Sequence, residues 1–110
     1  MIRGTTPTLI FSDMPLDCHE VNRINIMFKQ DNELIFVKTK DDCEISTDGK
    51  TLTVELTEEE TLKLDDGYHA GKPEGIVEIQ IKIEDENGKI TASQPMRARV
   101  GKILDDWWVD

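Results

Sequence analysis

The side chains able to carry chemistry in this sequence are few and scattered. Three serines occur, Ser12, Ser46 and Ser93, and none lies in a Gly-x-Ser-x-Gly turn of the kind that exposes a nucleophile. The histidines, His19 and His69, both fall in segments that read as loops. Cys18, His19, Cys43 and His69 could in principle form a two-Cys, two-His zinc set. Such a site needs paired ligands presented by one turn, and Cys18 and His19 are adjacent, so on extended chain they point to opposite faces. Asp65-Asp66-Gly67 and Asp85-Glu86-Asn87-Gly88 bring oxygens near glycine, yet neither has acids at alternate positions closed by a Glu, as a calcium loop requires. Both read as turn chemistry. The remaining acids are spread over turns and outer strand faces, so no carboxylate pair is set across a cleft, and no glycine-rich phosphate loop occurs. The expectation is a protein with no catalytic residues, no metal and no cofactor, and therefore not an enzyme.

What remains distinctive is at the end of the chain. Trp107 and Trp108 are adjacent and flanked by Asp105, Asp106 and Asp110. Two readings are open. One Trp folds back over an open end of the core, or the tail docks on another subunit, where Trp is a common anchor. Trp107 and Trp108 are therefore the candidate partner-binding residues.

The elements that would carry such a tail repeat with a period of two. Ile24, Ile26 and Phe28 alternate with Arg23, Asn25, Met27 and Lys29. Leu52, Val54 and Leu56 alternate with Thr51, Thr53 and Glu55. Val77, Ile79, Ile81 and Ile83 alternate with Glu78, Gln80 and Lys82. These ten apolar residues form the expected core. Thr8 to Phe11, Leu34 to Thr39 and Cys43 with Ile45 supply further strands. Leu34 to Thr39 has apolar residues on both faces, which suits a central strand. Lys89 to Val100 reads as the last strand, with Met96, Ala98 and Val100 inward. Pro95 marks it as an edge or a bulge, since proline gives no ladder amide.

Gln30-Asp31-Asn32-Glu33 reads as a turn, Asp48-Gly49 as a hairpin and Asn87-Gly88 as a type I′ hairpin turn. Thr57-Glu58-Glu59-Glu60 is a capping box that opens one short helical turn. Antiparallel strands with one wet face, and no alternation of strands with helices, predict an all-β fold. The expected form is an immunoglobulin-like antiparallel sandwich of about seven strands, with the helical turn before the penultimate strand. Residues 1–104 would be the single domain and 105–110 an acidic, Trp-containing tail.

Composition sets the outer limits. The chain has 110 residues, a net charge of −10, 37% hydrophobic and 33% charged residues. One domain with a packed core fits this length. The acidic balance speaks against nucleic acid, whose phosphates must be neutralised by cations. No run of about 20 apolar residues suggests a membrane span. The first residues show no apolar signal-peptide core, so a cytoplasmic start with free thiols at Cys18 and Cys43 is expected.

The opening Met1-Ile2-Arg3-Gly4-Thr5-Thr6-Pro7-Thr8 resembles small proteins encoded in phage and prophage structural clusters of gut Firmicutes. So do Asp42-Cys43-Glu44-Ile45, the run from Asp48-Gly49-Lys50 to Glu60-Thr61-Leu62, Val77-Glu78-Ile79-Gln80-Ile81 and Val100-Gly101-Lys102-Ile103-Leu104. The strand layout is similar to the immunoglobulin-like N-terminal domain of phage baseplate upper proteins. The resemblance implies a virion structural or assembly module, associated with the tail or baseplate, and supplies no site residues. Its partners would be other virion proteins or further copies of itself, with no small-molecule substrate. Its location would be the host bacterial cytoplasm during assembly and then the virion. The alternative from another class is a small carbohydrate- or ligand-binding β-sandwich.

Overall fold

The structure is a computed structural model and describes residues 1–67, 70–71 and 74–102. The proposed domain boundary at residue 104 and the tail beyond it lie outside these residues. The described chain forms two antiparallel sheets packed face to face. Strands are β1 (Thr8–Phe11), β2 (Arg23–Gln30), β3 (Glu33–Thr39), β4 (Cys43–Ile45), β5 (Leu52–Glu55), β6 (Gly75–Glu84), β7 (Ile90–Ala92) and β8 (Met96–Val100). The small sheet has the order β1-β5-β4. The large sheet has the order β3-β2-β6-β7, with β8 also paired to β6.

This is an immunoglobulin-like order. β1, β5 and β4 take the places of strands B, E and D, and β3, β2, β6 and β7/β8 those of C′, C, F and G. Strand A, which would flank β1, is replaced by a short stub. Ile2 forms a single parallel bridge to Gly101 at the far end of β8. Helix α1 (Glu58–Leu62) carries the chain from β5 in one sheet to β6 in the other. Its capping box is present: the Glu60 amide donates to Thr57 Oγ1 at 3.1 Å and the Thr57 amide donates to Glu60 Oε1 at 2.8 Å.

All ten residues of the expected core are buried. They owe this to the alternation, because side chains two apart share a face of a strand. Phe28 stacks on Phe36 of β3 with ring centroids 4.4 Å apart. The core also takes in Met14, Cys18, Val21, Leu64 and Val100, drawn from loops and strand ends.

Local details differ from the expectation. Among the described residues there are eight strands, where about seven are expected, because Ser93-Gln94-Pro95 splits the last strand into β7 and β8. There the Ser93 amide donates to the Ile81 carbonyl, while Ser93 Oγ replaces a backbone acceptor for the Ile81 amide. β3 lies at an edge and not in the centre. A bulge after Phe28 pairs Lys29 with Leu34 and turns Leu34 outward. The type I′ turn is Asp31-Asn32, where both residues have positive φ, whereas of Asn87 and Gly88 only Gly88 does. No helix among the described residues is long and apolar enough to cross a membrane.

Candidate functional site

Several of the polar side chains that could carry chemistry are hydrogen-bonded within turns and hairpins. Ser46 Oγ donates to Asp48 Oδ1 at 2.6 Å and accepts from the Thr51 amide, which closes the β4–β5 hairpin. Asp85 Oδ1 accepts the amides of Asn87 and Lys89, and Asp65 Oδ1 accepts that of Gly67. His19 Nε2 bonds the Ser46 carbonyl at 2.7 Å. The Cys18 thiol donates to the Leu16 carbonyl and the Cys43 thiol to the Thr39 carbonyl. Burial pushes both thiols up from their ordinary pKa, and Asp17 and Asp42 add to the effect, so the reactive thiolate is disfavoured. Among the described residues no three His, Cys, Asp or Glu side chains converge as metal ligands would. His69, Trp107 and Trp108 lie outside the described residues.

The feature that stands out is a gap between the sheets. With strand A reduced to a stub, β1 is an edge of the small sheet and β7/β8 an edge of the large one. Three contacts close the lower part of the opening between them. The Met1 ammonium donates to the Arg99 carbonyl at 2.8 Å, the Gly101 amide to the Met1 carbonyl at 2.8 Å, and the Arg3 amide to the Gly101 carbonyl at 3.0 Å. The stub is pinned from below by buried Thr61 of α1. Thr61 Oγ1 donates to the Thr5 carbonyl at 2.7 Å and accepts from the Gly4 amide at 3.0 Å.

Above the stub the opening persists as a cleft of about 340 Å³. Ile10 and Phe11 of β1 form one wall. Ile81 and Ile83 form the floor. Thr91, Ala92, Ser93 and Met96 form the other wall, and residues 12–15 roof it. The roof is held by the Met14 amide, which donates to the Lys50 carbonyl at 3.0 Å, and by a left-handed turn at Asp13. Asp13 is the only charged residue among the lining. Ile10 is 64% exposed, whereas Ile90 of β7, 53% exposed, pairs with Glu84 and lines a groove on the outer face of the large sheet. Two smaller grooves on the outer face of the large sheet are lined mainly by charged and amide side chains, including Lys29 with Glu78 and Arg23 with Glu84.

The alternation in β1 could have signalled this site. Leu9, Ile10 and Phe11 are consecutively apolar, so one of them must face away from the core. Met14 was legible only as part of a turn. No family model, curated protein or solved structure matches the chain.

Proposed function

We propose that this chain is a non-enzymatic structural or assembly module that works by protein–protein contact through the β1/β7 cleft. The observation that carries the reading is the pairing of an apolar cleft with two strand edges that no described strand covers. Such edges present free amides and carbonyls to another chain, and natural proteins normally cover or charge them. An added strand gains main-chain hydrogen bonds, and the pockets beneath it select its side chains. Strand β1, Thr8-Leu9-Ile10-Phe11, is short, which limits edge pairing, but it carries no charge and no proline.

The resemblance to phage structural proteins supplies the setting, a virion tail or baseplate, with other virion proteins or further copies as partners. The test is direct. Particles induced from the lysogen that encodes the chain are purified by density gradient and their proteins quantified. The chain should be present in multiple copies per particle. Its absence from intact particles would overturn the virion reading. The second reading, a small-ligand or carbohydrate module, draws on the cleft volume, which lies at the lower end of the ~300–1,000 Å³ seen for ligand sites. A glycan array checks it.

A further inference from the structure

The geometry points to a definite occupant for the cleft: an extended segment of another protein, paired antiparallel with the outer edge of β1. It sets two apolar side chains into the trough and carries a cationic residue for Asp13. The inference rests on the assembly reading above and deepens it by giving the chemistry of the partner.

The backbone of β1 fixes the register. The Leu56 amide donates to the Pro7 carbonyl at 2.9 Å, so Pro7 faces β5. Alternation then turns the backbone of Leu9 and Phe11 to β5 as well, opposite Val54 and Leu52. It turns the amides and carbonyls of Thr8 and Ile10 outward. No described strand lies on that side, because β1 ends the order β1-β5-β4. Every strand pair in the two sheets is antiparallel, the more stable arrangement per residue. A strand added in that sense exchanges hydrogen bonds with Thr8 and Ile10. Leu9 and Phe11 pack against the core. Partner residues opposite these two share their inward face, over Ile81, Ile83 and Met96.

Charge selects the donor. Asp13 lies two residues past the end of β1, is exposed and lines the cleft. The ion pairs Arg23–Glu84, Lys38–Glu60 and Arg99–Glu74 do not include it. On an antiparallel partner the position beside Asp13 precedes the apolar pair. The motif is therefore basic-x-apolar-x-apolar, read from the N-terminus. The net charge of −10 acts in the same direction. It draws a basic partner and sets copies of this chain against one another.

The probe is the acetylated and amidated peptide Lys-Thr-Val-Thr-Val-Thr, titrated to millimolar concentration into the isotope-labelled full chain and followed by amide NMR shifts. Thr8, Ile10 and Asp13 should move, and the outer edge of β3 should not. The same peptide with Glu for Lys should bind about 2–10-fold more weakly at low salt, the scale of an exposed ion pair turned into a repulsion. The gap should close by about 0.5 M salt. Asp13→Asn should also close it, since Asn tolerates the left-handed backbone of that position. Ile10→Arg should abolish binding of both peptides, and Met96→Arg repeats the block if Ile10→Arg disturbs β1. Sedimentation should show the parent alone as a monomer. No shift, shifts confined to another edge, or equal binding of the two peptides would each overturn the inference. So would self-association that Ile10→Arg abolishes, which would make the occupant a second copy. A chain found in purified particles but without the peptide preference would overturn this inference alone. A chain with the preference but absent from particles would overturn the virion setting alone.

Discussion

Thr61→Val is the substitution that most directly probes why the cleft is open above and closed below. The valine keeps the shape of a side chain with no exposed surface and removes only the hydroxyl. That hydroxyl holds two backbone groups of the N-terminal stub, the Gly4 amide at 3.0 Å and the Thr5 carbonyl at 2.7 Å. Each hydrogen bond contributes about 0.5–1.5 kcal/mol net, and a buried polar group left without a partner costs more. Gly4 and Thr5 are half-buried, so water can partly replace the hydroxyl. The expected loss is about 1–3 kcal/mol, or about 4–12 °C in Tm at about 4 °C per kcal/mol. Urea unfolding gives the total. Hydrogen exchange locates it: the Arg3, Gly4 and Gly101 amides should exchange much faster, while those of β2 and β6 should speed up only as far as global stability falls. Thr61→Ser keeps the hydroxyl and loses a buried methyl, about 0.8 kcal/mol, without releasing those three amides. If Thr61→Val lies within about 0.5 kcal/mol of the parent, the level of a surface change, and exchange is unaltered, the pinning argument is wrong.

Further outcomes follow from the same packing. Ile79 is 4% exposed and pairs with Phe28 and Met96, so Ile79→Ala should cost about 2–5 kcal/mol in chemical denaturation; under about 0.5 kcal/mol would contradict the register. Lys38 lies on the inner face of β3 with its side chain 9% exposed, 2.6 Å from Glu60. Glu60→Gln strands that ammonium and should cost about 1–3 kcal/mol, while Lys38→Met, which removes the buried charge, should stay within about 1 kcal/mol. Burial alone would raise the Glu60 pKa; the Lys38 ammonium and the Thr57 amide overrule it and hold the carboxyl below its ordinary 4.5. A depressed carboxylate stabilises fully above that ordinary value and loses the contribution as pH falls through the folded one. Urea titrations below pH 4.5 should therefore be steeper for the parent than for Lys38→Met. Gly88 has φ +82 with open space around it, so Gly88→Ala should cost about 1–2 kcal/mol in a thermal melt. Gly49→Ala should cost more in the same melt, since its Cβ would overlap the Asp17 carboxylate and crowd the Asp17 backbone at 3.1 Å.

The large sheet was legible because its strands alternate over long runs. β6 keeps one face apolar for four successive inward positions, and a slip of one residue would expose them all. The helical turn was legible because a capping box uses residues adjacent in sequence. Both signals are local. The place of β3 was not, since its two apolar faces arise from a bulge at Phe28/Lys29 whose effect depends on a partner strand. Leu34 faces water for that reason. Burial of Met14 and Cys18 depends on their amides reaching the Lys50 and Gly49 carbonyls across the loop cluster, contacts with no periodicity to read. The type I′ turn at Asp31-Asn32 lacks the glycine that usually marks one. The cleft is the least local feature. It needs β1, the β7–β8 bulge and the stub at Gly101 to be placed together, and only Pro95 hinted at any part of it.

That this cleft is where the chain meets protein is tested most directly by incorporation into particles. A lysogen carrying Ile10→Arg is compared with one carrying Leu34→Arg. The two leucine-sized side chains are similarly exposed, at 64% and 48%, but Ile10 lines the cleft and Leu34 lies on the distant edge strand β3. With both variant chains shown to be folded and equally abundant in the cell, Leu34→Arg should enter particles at the parental level and Ile10→Arg should be excluded. Equal incorporation of both, or exclusion of Leu34→Arg alone, would contradict it.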